Sequence, residues 1–342
     1  MIKKIRVLQF GVGAVGRETI RQLAMRGIDL VGAVDENPAL TGQDVGLVAD
    51  LGRELGIRIE RDLEHCLQET QPDVVLHATG FVPELVLRDF SLIARHHAHV
   101  VSISGIAYIW KRYPDLAKSL HQVALQHKVA FVGAGMIPGF LSDLLPIVLS
   151  GACHEVRSIA VRRCADYSPW GPDVMARYGF GLKKEEFERQ VATGRITLFA
   201  SLWQSLDMMV HALGWDIVEE KEEKSPWIST RNRQGSNVRI APREVCGFRH
   251  QVSAENAAGQ TISIEVQGYI QPEGEEEQPQ LSVRIDGGPS CEMIINGELV
   301  SAQGSLMTSS ARMINALPRI MQAEPGLASL SDLPIMSAYR AV

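Results

Sequence analysis

The chain has 342 residues, 45% of them hydrophobic and 22% charged, with a formal net charge of −6. That length holds two domains of ordinary size, and the balance of apolar and charged residues excludes a disordered chain. The negative charge argues against nucleic acid as a partner, because a phosphate-binding surface needs a concentrated basic face. No stretch reaches the run of about 18 apolar residues that a membrane helix needs, so a membrane is not an expected partner either. Five cysteines are scattered with no C-x-x-C pair. They are expected to be reduced, in a cytoplasmic protein.

A strand at Arg6 to Phe10 opens the pattern, and Gly11-Val12-Gly13-Ala14-Val15-Gly16 follows it directly. A helical pattern then runs to Met25. This is a dinucleotide fingerprint in which each glycine has its own task. Gly11 allows the tight turn, Gly13 lets backbone amides approach a pyrophosphate, and Gly16 lets the helix pack closely on the sheet. The helix N-terminus, from Ala14 and Val15, supplies unpaired N–H groups to the phosphates. A second strand, near Leu30 to Val34, ends at Asp35, where a carboxylate accepts the ribose hydroxyls of the adenosine half and repels a 2′-phosphate. NAD is therefore the expected coenzyme, and Glu36 and Asn37 in place of an arginine strengthen that choice. NADP stays open if a basic side chain from elsewhere neutralises the phosphate.

Further strands are expected at Val74 to Ala78, Val100 to Ser102 and Val129 to Val132, with helices at Glu84 to Arg95 and Pro114 to Gln126. Such alternation predicts a Rossmann doubly wound parallel sheet, with ligands beyond the strand C-termini. Ala78, Thr79, Gly80 and Ser102 lie at those ends and are taken, with the fingerprint and Asp35, as coenzyme contacts. His77 still lies inside a buried strand, where a neutral hydrogen-bonded imidazole is the ordinary expectation. The neighbours His96, His97 and His99 lack matching acidic or thiol ligands, so no metal site is expected.

After about Leu149 the pattern changes. A strand at Val156 to Arg163, helices at Lys184 to Val191 and Leu198 to Leu213, and several strand-like runs from Ile217 to Leu299 predict a second, α+β domain on a mostly antiparallel sheet. The acidic run Glu273 to Glu277 reads as a solvated hairpin loop. Trp203, Met208, Met209 and Trp215 read as core. The expected division is residues 1–149 for the coenzyme domain and 150–302 for substrate binding and dimerisation, with 303–342 returning to pack on the first. The last helix, about Ser305 to Leu317, carries the apolar face for that return.

Several blocks taken together resemble the family of 2,4-diaminopentanoate dehydrogenases and native amine dehydrogenases, which share the architecture of dihydrodipicolinate reductases. In chain order they are Gly11 to Gly16; His77-Ala78-Thr79-Gly80; Pro138-Gly139-Phe140 with Asp143-Leu144-Leu145-Pro146; and Ala212-Leu213-Gly214-Trp215. Asn315-Ala316-Leu317-Pro318-Arg319, Pro325-Gly326-Leu327 and Asp332-Leu333-Pro334 close the series. The resemblance implies reversible hydride transfer at a C–N bond of a small molecule, with a homodimer formed through the second-domain sheet.

Two departures bear on that chemistry. In the amine dehydrogenases a glutamate follows the strand that here ends at Ser102, whereas Ile103-Ser104-Gly105-Ile106-Ala107-Tyr108 contains no acid. Ile137 stands where the family usually has asparagine, so a hydrogen-bonding amide is lost. Both changes make the pocket more apolar and disfavour a cationic substrate. Tyr108 and Asp166 are the candidate proton-transfer groups, and Ser104, Ile137, Tyr167 and Tyr178 the candidate substrate contacts. For these tyrosines and Asp166 the ordinary alternative is an aromatic anchor or a loop-capping carboxylate. The sequence thus predicts an NAD(P)-dependent oxidoreductase acting at a C–N or C–O centre of a compact, weakly charged substrate. The alternatives are a non-catalytic NAD(H) sensor and a repurposed imine or carbonyl reductase.

Overall fold

A computed structural model describes residues 4–274 and 277–340 and divides the chain into two compact units, residues 1–140 with 306–342 and residues 141–305. The expected boundary at residue 149 falls inside a helix of the second unit, Leu144–Ser150.

The first unit begins β1 (Arg6–Phe10), α1 (Ala14–Met25), β2 (Asp29–Val34), α2 (Val45–Val48), β3 (Ile59–Glu60) and α3 (Leu63–Thr70). It continues β4 (Val74–His77), α4 (Pro83–Arg95), β5 (His99–Ser102), α5 (Pro114–His127) and β6 (Ala130–Gly133). β4 and β6 are buried at every residue, as expected of parallel strands covered on both faces. In α1 the buried Gly16, Thr19, Ile20 and Leu23 recur every three to four residues, which seats one stripe of the helix on the sheet.

In the second unit α6 (Leu144–Ser150) leads into β7 (Glu155–Asp166), α7 (Pro172–Tyr178), α8 (Lys184–Ala192) and α9 (Leu202–Leu213). Then come β8 (Ile217–Ile228), β9 (Arg233–Gln234), β10 (Arg239–Ile240), β11 (Val245–Asn256), β12 (Thr261–Tyr269), β13 (Gln280–Gly288) and β14 (Cys291–Ile295). The main sheet has the order β14-β13-β7-β12-β11-β8, with β7 and β12 parallel and the other neighbours antiparallel. Ile262, Ile264 and Val266 of β12 point to the buried face while Thr261, Ser263 and Glu265 alternate away from it. The acidic run is less solvated than its composition suggests: Glu277 forms an ion pair with Arg233 at 2.9 Å, and Glu273 pairs with Arg231. Glu275 and Glu276 lie outside the described residues.

The chain then forms α10 (Ala302–Ile320) and β15 (Gly326–Ala328). Met313, Ile314, Ala316, Leu317 and Ile320 of α10 share a core with Val7, Leu76, Val101 and Val132 of the first sheet. β15 pairs in parallel with β6 and completes a seven-stranded sheet of order β15-β6-β5-β4-β1-β2-β3. β1 and β4 are neighbours although β2 and β3 lie on the other side of β1. The strand order therefore reverses between β1 and β4, where an open α/β sheet forms its ligand crevice. Among the described residues no helix is long and apolar enough to cross a membrane.

Candidate active site

The turn after β1 is built so that three glycines meet three different demands. Gly11 has φ +89°, and a Cβ there would lie 2.5 Å from the carbonyl oxygen of Ala78, across the point where the strand order reverses. A Cβ on Gly16 would lie 1.9 Å from the Gly11 carbonyl oxygen, so helix and turn touch through bare backbone. A Cβ on Gly13 would meet nothing within 4 Å. That open side is where an anion can approach. Gly13 precedes the first residue of α1 and has no side chain to cap it, so the first-turn N–H groups of Ala14, Val15 and Gly16 stay available to a diphosphate.

Asp35 extends from the end of β2 back to this turn. Its Oδ2 accepts the Val12 N–H at 2.6 Å and its Oδ1 accepts the Asn37 N–H at 2.8 Å. The carboxylate is thus fixed beside the turn, with lone pairs left for ribose hydroxyls. Gln9 was not singled out from sequence, yet its buried amide donates to the Gly11 carbonyl at 2.9 Å and braces the turn from beneath. The signal was there, a polar residue inside an otherwise apolar strand.

At the ends of β4 and β5 the structure departs from the expected contacts. Ser102 was assigned to the coenzyme and Ser104 to the substrate, but both are buried and turned inward. Ser102 Oγ accepts the Ser104 N–H at 3.0 Å and lies 2.9 Å from His77 Nδ1. Ser104 Oγ donates to the Thr79 carbonyl at 2.7 Å and lies 3.1 Å from the same His77 nitrogen. His77 Nε2 is 3.0 Å from Thr79 Oγ1. A neutral imidazole satisfies this set, its Nδ1–H donating to the serines and its Nε2 accepting the Thr79 hydroxyl. The ring is fully buried between Phe10 and Phe90, and burial lowers its pKa to about 3. His77 therefore orders the crevice rim and stays uncharged at neutral pH. Ala78 contributes main chain, its N–H donating to Phe10 O at 2.7 Å, while Gly80 is exposed with open space around it.

Tyr108 lies partly buried in the loop between β5 and α5, in the segment that carries no acid. Ile137 lies partly buried in the loop after β6, beside Met136 and Pro138.

The remaining candidates belong to the second unit. Asp166 ends β7, and its Oδ1 accepts the Ser168 N–H at 2.8 Å, so one oxygen of its carboxylate caps a loop. Tyr167 is 5% exposed and packs against Tyr178, Phe180 and Phe248. Tyr178 stacks on Phe199 and Phe248. Burial pushes both phenols above their ordinary pKa, so they are neutral donors rather than bases. Arg163, which sequence reasoning missed, is 4% exposed, donates to Ser305 Oγ at 3.0 Å and hydrogen-bonds Tyr167. Arg162 and Arg163 are consecutive, and composition does not say which faces inward.

Residues 140–341 match the family profile described as the 2,4-diaminopentanoate dehydrogenase C-terminal domain. The chain is 28% identical to 2,4-diaminopentanoate dehydrogenase of Acetoanaerobium sticklandii, over 98% of this chain and 95% of that protein. It is 27% identical to an amine dehydrogenase of Streptomyces virginiae, over 98% and 97% of the two chains. The fold matches the structure of amine dehydrogenase from Mycobacterium smegmatis with a TM-score of 0.85 at 24% identity, covering 99% of this chain and 98% of that one.

Proposed function

Because the chain belongs to the 2,4-diaminopentanoate dehydrogenase family, we propose that it is an NAD-dependent oxidoreductase working at a C–N centre of a compact, weakly charged molecule. In one direction an amine loses hydride and a proton to become an imine, which water opens to a carbonyl compound and ammonia; the reverse is reductive amination. A C–O centre is the variant of the same chemistry. The coenzyme supplies the hydride acceptor or donor.

The carrying observation is the glycine turn with Asp35 bonded to Val12, which fits a dinucleotide in both shape and charge. The backbone of Gly13 to Gly16 would hold the diphosphate and Asp35 the ribose. Thr79 and Gly80 would line the crevice rim, with His77 fixing the Thr79 hydroxyl. Tyr108 would give and take the proton at the nitrogen or oxygen of the reacting centre, since no carboxylate lies in residues 103–108. The acid-free segment 103–108 also supports a weakly charged substrate, because it offers no counter-charge to a buried cation. Ile137, Tyr167 and Tyr178 remain the proposed substrate contacts, Ile137 as an apolar side chain and each tyrosine as a neutral phenol donor. Five free cysteines support a reducing, cytoplasmic setting, and a homodimer through the second sheet completes this reading.

The test is a turnover screen that follows reduced nicotinamide, offering amines with NAD and carbonyls plus ammonia with NADH. Turnover in either direction supports the reading. Tight coenzyme binding with silence across the screen would favour the second reading, a non-catalytic NAD(H) sensor, which the acid-free segment 103–108 specifically supports.

A further inference from the structure

Beyond Asp35 the crevice end of β1 opens into a hollow of about 600 Å³, lined among others by Phe10, Glu36, Arg61, Arg88 and Asp89. Phe10 is the last residue of β1 and Glu36 follows Asp35 directly, so this hollow adjoins the group proposed to hold the adenosine ribose. Two arginines therefore stand near Asp35, although the residues that follow it directly, Glu36 and Asn37, include no base; Asp62 and Glu64 line the hollow as well. Arg88 is the one already engaged. Its Nη2 lies 3.3 Å from Glu36 Oε1 and 2.7 Å from Asp89 Oδ1. Asp89 is held on the buried side of α4 with 6% of its side chain exposed, while Arg88 and Glu36 are 55% and 68% exposed.

These placements divide the work. Asp89 holds the guanidinium from its largely buried position, and Glu36 holds it from an exposed one. An exposed ion pair of this kind is worth little on its own, so the Glu36 contact can be exchanged for a stronger one. A phosphate monoester dianion is such a partner, since guanidinium binds it through parallel charge-assisted bonds. Charge opposes that exchange: Asp35 stands beside the hollow, Glu36, Asp62 and Glu64 line it, and of these Glu36 is the one paired with Arg88.

We propose that Glu36, by holding Arg88, sets the coenzyme preference of this chain, and that Arg88 is a latent ligand for the 2′-phosphate of NADP. The proposal rests on the dinucleotide reading of the glycine turn. It assigns the discrimination to a pair 52 residues apart as well as to Asp35.

Isothermal titration of the purified full chain with NAD+ and with NADP+ tests this without any substrate. Glu36→Gln should tighten NADP+ at least tenfold and leave NAD+ within threefold. Adding Arg88→Met should abolish that gain, whereas adding Arg61→Met should keep most of it. The gain should shrink between low and high salt, as a charge-based contact must. Unchanged NADP+ affinity in Glu36→Gln, or a gain that survives loss of Arg88, overturns the proposal. If the wild-type chain binds neither coenzyme, the dinucleotide reading itself fails. That outcome is recognisable before any variant is made.

Discussion

Asp35 Oδ2 and the backbone nitrogen of Val12 are 2.6 Å apart, so the acid placed to meet the ribose also fixes the second residue of the glycine turn. A single substitution at Asp35 therefore strikes both a ligand contact and the shape of the turn. Asp35→Ser is expected to weaken NADH binding by about 10- to 100-fold, the range for losing a hydrogen bond to a charged group. Fluorescence titration of NADH measures it. An unaltered dissociation constant would remove Asp35 from the site.

Gly13 and Gly16 should respond in opposite ways to the same added methyl group. Gly13 has φ −75°, which alanine adopts freely, and its Cβ would enter open space. Gly13→Ala should keep the thermal midpoint of the wild type while weakening coenzyme at least tenfold. Gly16→Ala drives a methyl into the Gly11 carbonyl and should cost about 1–3 kcal/mol of stability, the usual range for overpacking. Equal effects of the two changes on thermal unfolding would contradict the division of tasks.

His77 gives a pH dependence with a definite sign. Its folded pKa is held at about 3 by burial, against about 6.5 for a free histidine. Between those values the unfolded chain binds more protons, so this contribution to stability is complete above about pH 6.5 and lost as the pH falls towards 3. His99 and His250 are also lowered by burial and act in the same direction. The informative quantity is thus a difference: His77→Gln should lose less stability between pH 7 and 5 than the wild type does in urea unfolding. Parallel curves would mean that the imidazole is not held neutral.

Tyr108→Phe isolates the proposed proton transfer. With an amine substrate, kcat should fall by about 10²- to 10⁴-fold, the range for a general acid or base, while the NADH dissociation constant stays put. Wild-type turnover with phenylalanine at this position would place the proton donor elsewhere.

How far the site could be read in advance depended on whether its parts are local. The turn from Gly11 to Gly16 and the acid at Asp35 were legible because backbone conformation at fixed spacing leaves glycine few substitutes. The apolar face of α10 was legible for a similar reason, since Met313, Ile314 and Leu317 repeat at helical spacing. Ser102 was placed correctly at a strand end, but its side chain turns to His77, and a strand's sequence does not say which neighbour a hydroxyl will choose. Asp166 could be read as an acid for chemistry or as a loop cap, and only the folded chain shows that one of its oxygens accepts the Ser168 N–H. Arg88 and Glu36 meet only because α4 folds back beside the end of β2, a long-range event that no local pattern encodes.

Gly326 to Ala328 follow a long helix and form only a short strand, yet they determine what the outer margin of the first sheet presents to its surroundings. Gly326 donates to the Val129 carbonyl at 3.0 Å and Leu327 donates to His121 Nδ1 at 3.1 Å, so the segment is stitched to both the strand end and α5. A chain cut after Ile320 would leave Ala130 to Gly133 with an unpaired row of amides and carbonyls, an adhesive border of the kind that recruits a strand from another molecule. Such a truncated protein should scatter light and self-associate even where its nucleotide turn is untouched, which makes these few residues a guard against aggregation.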